Sequence, residues 1–204
     1  MKKSVIACDL DDVLFDFAKP LINYSNQVLG QNIKYKDVFS YNLDEVFDCS
    51  YDKSVKIVQD FCATDTFLNL PLFPDSKNAL NYLSEKYEII FITARHGLAE
   101  ELTKLQIEKN LTGLNGYSQN IFFTRQYQNK EPKIPKSEVC KNENARLIIE
   151  DNFENSQDCS SKGIPAIIFR RPWNEKYLKQ KHKDIYPVKT WKQALELVEK
   201  IINF

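Results

Sequence analysis

Five short apolar runs punctuate the chain, each bounded by polar or turn residues: Val5–Cys8, Glu88–Ile92, Asn120–Phe123, Arg146–Ile149 and Pro165–Phe169. Runs this short, without alternation, predict strands buried on both faces, as in a parallel sheet. Between them the period lengthens. Ser76–Tyr87 places Ala79, Leu80, Leu83 and Tyr87 on one helical face, after the start signal Pro74-Asp75. Leu98–Asn110 follows Gly97 and repeats apolar residues at Leu98, Leu102, Leu105 and Ile107. Shorter helices are predicted over Lys136–Lys141 and Glu154–Ser161, and Lys192–Ile202 closes the pattern. Strand and helix alternating over residues 76–170 predict right-handed βαβ units. The fold class is therefore α/β, with a Rossmann-like parallel sheet flanked by helices.

The stretch Phe17–Asn69 breaks the alternation. It is rich in Tyr, Phe, Asn and Asp, and its periodic pieces, Ala18–Leu29 and Ser54–Cys62, read as helical. A structureless loop of that length does not suit a compact domain. The expected organisation is a core of residues 1–16 and 70–204, with a small α-helical cap of residues 17–69 inserted after the first strand. Leu70-Pro71-Leu72-Phe73-Pro74 is its return segment.

Composition narrows the partners. With 28 basic and 28 acidic residues in 204, no global field points to a nucleic-acid polymer or an anionic membrane. The five cysteines are scattered and never form Cys-x-x-Cys, which suits free thiols in a reducing cytoplasm. The first apolar run is too short for a signal peptide, and no later one reaches spanning length. The expectation is a soluble, cytoplasmic protein; nothing in the pattern speaks to oligomeric state.

Three of the strands end in chemistry. The first stops at Asp9-Leu10-Asp11, the second at Thr93-Ala94-Arg95, and the fourth at Glu150-Asp151-Asn152. Acids are costly to bury unless a metal or a partner compensates, so their appearance straight after apolar runs asks for one. Ligands of open parallel sheets bind beyond the carboxyl ends of the strands. Two acids from the first strand and one or two from the fourth form an oxygen-rich site suited to Mg²⁺.

This set of motifs resembles the haloacid dehalogenase-like phosphohydrolase superfamily, and the resemblance runs over essentially the whole chain. It implies an aspartyl-phosphate mechanism, with Asp9 as nucleophile and Asp11 as general acid and base. It implies phosphate binding by Thr93, the amides near Leu10 and Ala94, and a lysine. It also implies a metal held by the Asp9 carboxylate, the Asp11 carbonyl and Asp151, with Glu150 acting through water. Lys130, Lys133, Lys136 and Lys141 all precede the fourth strand. Lys136, after Pro135 at a helix start where a cation opposes the macrodipole, is the choice, with Lys133 as the alternative.

The sequence Asp11-Asp12-Val13-Leu14-Phe15-Asp16-Phe17, the segment Phe67 to Pro74, Ile92-Thr93-Ala94-Arg95 and Ile149-Glu150-Asp151 are similar to the 5′(3′)-deoxyribonucleotidase branch. That similarity implies nucleoside monophosphates as substrates and Phe17 as a platform for the base. One position departs: the motif usually has Gly where this chain has Asp12, and Asp tolerates the turn better than most residues. Arg95 either pairs with a core carboxylate or touches substrate phosphate, and Glu150 divides between metal shell and ion pair. His96 and His182 read as surface or loop residues. Asn152 and Ser156 read as helix caps, and Arg170–Trp173 as a turn packed by the indole, in preference to a rim for an anionic substrate. Competing readings are a phosphatase for another small metabolite and a catalytically silent binding module.

Overall fold

The computed structural model describes residues 3–111, 120–124 and 134–202. Strand β1 (Val5–Cys8) is followed by four helices: α1 (Ala18–Leu29), α2 (Leu43–Phe47), α3 (Tyr51–Cys62) and α4 (Asp65–Leu68). Then α5 (Ser76–Lys86), β2 (Glu88–Thr93), α6 (Glu100–Asn110), β3 (Ile121–Phe123), α7 (Lys136–Asn142) and β4 (Ala145–Glu150) alternate. The chain closes with α8 (Phe153–Ser161), β5 (Ala166–Phe169), β6 (Ile185–Val188) and α9 (Trp191–Ile202).

The strands form one parallel sheet in the order β3-β2-β1-β4-β5-β6. All four residues of β1 are buried. Alternation along it sends Ile6 and Cys8 into one core cluster and Val5 and Ala7 into the other. That is the period of two expected when both faces of a strand are covered. The strand order reverses on either side of β1, so the crevice beyond its end is the switch point of the sheet.

Strand β6 has no counterpart in the predicted set. Ile185-Tyr186-Pro187-Val188 interrupts its apolar pattern with a half-buried Tyr and an exposed Pro. Proline is tolerated there because β6 is an edge strand with one neighbour. Helix α3 begins three residues before the periodic segment, since the Ser50 hydroxyl accepts a bond from the Lys53 amide and opens the helix. In α6 the apolar repeat misleads. Leu105 is 52% exposed, while Thr103 and Gln106 are buried.

The helices between β1 and α5 share a core with the sheet. Phe47, Phe61 and Phe67 are fully buried in the same cluster as Ile6, Leu10 and Phe15. The chain returns through Leu72, which bridges Phe15, and Phe73, whose amide donates to the Leu14 carbonyl at 2.8 Å.

Candidate active site

Register assembles the acids. Cys8 pairs with Phe91 on one side and Ile149 on the other, so one step further Asp9 lies between Ile92 and Glu150. The Asp9 amide donates to the Ile149 carbonyl at 2.9 Å, which continues the ladder to the nucleating edge of the site. Carboxylate oxygens of Asp9, Glu150 and Asp151 lie within 4.8 Å of one another.

Three buried acids that close need counter-charge, and one comes from the protein. Lys136, buried at the first turn of α7, places Nζ 2.6 Å from Asp9 Oδ2 and 2.6 Å from Glu150 Oε1. Burial pulls its pKa down, but the two carboxylates outweigh that and hold it above its ordinary range. Lys133, the alternative, lies outside the described residues, as does Lys130. Glu150 is saturated: Oε1 also accepts from Asn155 Nδ2 at 3.0 Å, and Oε2 accepts from the amides of Asp151 and Asn152 at 2.6 and 2.7 Å. Burial raises its pKa, yet Lys136 and those amides prevail and leave it lowered.

The remaining acids are under-compensated. Burial, with repulsion from Glu150 and Asp11, pushes Asp9 up to about 7 against the pull of Lys136. Asp151 rises well above the usual carboxylate range through burial and the charges of Glu150, Asp9 and Asp12. A divalent cation is the counter-charge such a pair lacks, and an all-oxygen donor set suits a hard one. The geometry of Asp151 is fixed from outside: the Trp173 indole N–H donates to its Oδ2 at 2.8 Å, and Asn174 Nδ2 donates to its carbonyl at 2.7 Å. Second partners of this kind orient a ligand.

Residues 3–202 match the family described as 5′ nucleotidase, deoxy (pyrimidine), cytosolic type C protein. The chain belongs to that family. It is a phosphoric monoester hydrolase, and its fold is haloacid dehalogenase-like. A 5′(3′)-deoxyribonucleotidase of Bacillus subtilis is 27% identical over 177 residues, which cover 84% of this chain and 88% of the relative. A nucleotidase of Clostridium acetobutylicum is 22% identical over 203 residues, covering 100% of this chain and 97% of the relative. Among solved structures, a haloacid dehalogenase-like hydrolase from Streptococcus pneumoniae superposes with a TM-score of 0.69 at 17% identity. The match covers 96% of this chain and 98% of that one.

Within this nucleotidase framework the other sequence candidates take definite places. Asp11 is gripped by Arg95: Nη2 lies 2.7 Å from Oδ1 and Nε 2.9 Å from Oδ2. Arg95 is buried, its Nη1 bonds Thr103 Oγ1 at 3.0 Å and Gln106 Oε1 at 2.9 Å, and its guanidinium lies 4.6 Å from the Phe67 ring. Of the two alternatives for Arg95, the geometry is that of the carboxylate partner. It also explains why α6 buries polar residues. Thr93 is fully buried and its Oγ1 accepts from the Arg95 amide at 3.2 Å, while Ala94 lines the cavity above the acids. Phe17 borders the same cavity, edge-on to Phe61 and Phe67 with centroids 5.5 and 6.4 Å apart.

Asp12, in the family's usual glycine position, has φ +57°, the left-handed backbone that explains the glycine. Its carboxyl borders the cavity, accepts from the Ala18 amide at 3.2 Å, and is pushed up to about 8, chiefly by burial. Arg171 binds the Asp12 carbonyl through Nε at 2.9 Å and Nη2 at 2.6 Å, so the Arg170–Trp173 turn braces both ends of the site. Asn152 caps α8 by accepting from the Asn155 amide at 2.9 Å; Ser156 instead donates back to the Asn152 carbonyl. Of the two readings for His96 the loop holds and the surface does not: it lies in the loop after β2, is only 2% exposed and lines the cavity. No local pattern marks its burial, because the other walls of the cavity, Val58 and Cys62 among them, come from segments distant in sequence. Trp173 and Arg171, which the sequence reads as part of a turn rather than a substrate rim, reach Asp151 and Asp12 from beyond β5, and Asn174 beside them carries no sequence signal.

Proposed function

We propose that the protein is a Mg²⁺-dependent phosphomonoesterase that works through an aspartyl-phosphate on Asp9, with nucleoside 5′-monophosphates as its substrates. The observation that carries this reading is the Asp9 carboxylate, buried at the switch point, paired to Lys136 and facing Asp151 beneath a cavity. Asp9, Asp151 and the Asp11 carbonyl would hold the cation, and Glu150, whose oxygens are already bonded, serves as the anchor of Lys136. A bound divalent cation supplies charge neutralisation between the acids and the phosphate.

Asp9 is aimed for attack. Its Oδ1 accepts from the Leu10 amide at 2.8 Å and its Oδ2 is held by Lys136, so the carboxylate cannot swing away. It forms a bond to phosphorus as the bond to the leaving oxygen breaks, and that oxygen takes a proton from Asp11. Water then attacks the phosphorus and gives a proton to Asp11, releasing inorganic phosphate and restoring Asp9. Thr93, the amides near Leu10 and Ala94, and Lys136 hold the phosphoryl oxygens. The helices α1–α4, with residues 17–69 as a cap, roof the site and exclude water. Phe17 meets the leaving group there. Family membership and the Bacillus deoxyribonucleotidase support a nucleotide as that substrate.

Phosphate release from a panel of deoxy- and ribonucleotides, sugar phosphates and para-nitrophenyl phosphate tests the reading. Nucleoside 5′-monophosphates should be hydrolysed best, chelation should abolish release, Mg²⁺ should restore it, and Asp9→Asn should lower it by at least about 10³-fold. Full activity in excess chelator or in Asp9→Asn overturns the mechanism. Better turnover of sugar phosphates overturns the substrate.

A further inference from the structure

The orphan of the cavity is His96. It follows Arg95 directly, at the entry to the short 3₁₀ turn Gly97–Ala99, and α3 packs over that turn. It borders the same cavity as Asp9, Asp11, Asp12 and Asp151, and it is 2% exposed. Yet neither Nδ1 nor Nε2 has a hydrogen-bond partner among the described residues. Arg95, its neighbour in the chain, is already engaged with Asp11, Thr103 and Gln106. Buried polar groups are paired as a rule, so an exception at the wall of a ligand cavity points to a partner that arrives with the ligand.

The chemistry of the ring restricts that partner. Burial alone holds the imidazole below its ordinary range, so it is neutral at pH 7 and offers one donor and one acceptor. Such a ring adds little to a dianionic phosphate, which already has Lys136. It matches a group that both gives and takes a hydrogen bond, such as a sugar hydroxyl or an amide edge of a base. The cap side of the cavity is apolar at Phe17, Leu21, Val58 and Cys62 and polar at Ser40 and Tyr41, while the floor is acidic.

We propose that His96 is a specificity-determining residue that hydrogen-bonds the nucleoside part of the substrate and so separates nucleotides from esters with featureless leaving groups. The assignment deepens the nucleotidase reading above and rests on it. Protein atoms cover both nitrogens in the present arrangement, so the contact forms as the ring turns into the cavity it borders.

The experiment compares wild type, His96→Phe and His96→Gln by kcat/KM on a deoxynucleoside 5′-monophosphate and on para-nitrophenyl phosphate, and by inhibition with the product deoxynucleoside. For His96→Phe the ratio of the two kcat/KM values should fall about tenfold, or about 1.4 kcal/mol, and the nucleoside inhibition constant should rise by a similar factor. His96→Gln, which keeps a donor and an acceptor, should recover most of both. Equal losses on the two substrates, or no loss on either, overturn the proposal while leaving the function standing. Should His96→Phe fail to fold, His96→Leu takes its place: a lower nucleotide-to-aryl ratio with weaker nucleoside inhibition upholds the proposal, and a ratio unchanged from wild type rejects it. A wild type that cleaves para-nitrophenyl phosphate but neither cleaves nor binds nucleotides overturns both readings.

Discussion

Lys136 shows how a single side chain sets the state of its neighbours. Two contacts of 2.6 Å hold it between Asp9 and Glu150, where it offsets one charge of a three-acid cluster. Its position at a helix start was legible because a cation there opposes the dipole, whereas its two partners come from separate strands. The Asp11–Arg95 pair spans 84 residues, so the sequence offers Arg95 a carboxylate partner as one alternative without saying which carboxylate. That pair predicts a coupling. Asp11→Asn and Arg95→Met should each slow release from nucleotides. The double variant should be little worse than the worse single one, because Arg95 acts through Asp11. A double-mutant cycle on kcat measures this, and strictly additive losses would give Arg95 a separate role.

At the scale of elements, the acids were readable because each ends an apolar strand, and a parallel register then fixes which strand ends are neighbours. Edge strand β6, broken by Pro187, lacked that apolar signal. Helix α6 hid its inward face because Thr103 and Gln106 are turned in to hold Arg95, leaving Leu105 outside. The start of α8 joins stability to the site: the Asn152 side chain caps it, and the Asp151 and Asn152 amides both donate to Glu150. Asn152→Ala should therefore lower unfolding stability by about 1–2 kcal/mol, read from urea titration. A change below about 0.3 kcal/mol would show that the Glu150 carboxylate alone secures this helix start.

For the whole molecule, the buried acids tie stability to pH and metal. With no cation, folded Asp9 and Asp12 keep protons up to about 7 and 8, while in the unfolded chain they release them near 3.8. The folded state therefore binds more protons over that window, so its stability is full below the unfolded value and falls as pH rises through 7 to 8. Cations compete with those protons, so the rise in Tm on adding Mg²⁺ should be larger at pH 8 than at pH 6. Scanning calorimetry of chelated and Mg²⁺-loaded protein decides it; a gain independent of pH would detach the acids from the metal.

The indole of Trp173 sits on Asp151, and the chain has one other tryptophan, Trp191, whose N–H meets the Val13 carbonyl at 3.3 Å. The cation proposed at Asp151 would alter the electric field along the Trp173 ring, so emission intensity would become an intrinsic gauge of occupancy. With Trp191 exchanged for Phe, rapid-mixing fluorimetry can time the arrival of the ion separately from the chemistry it enables.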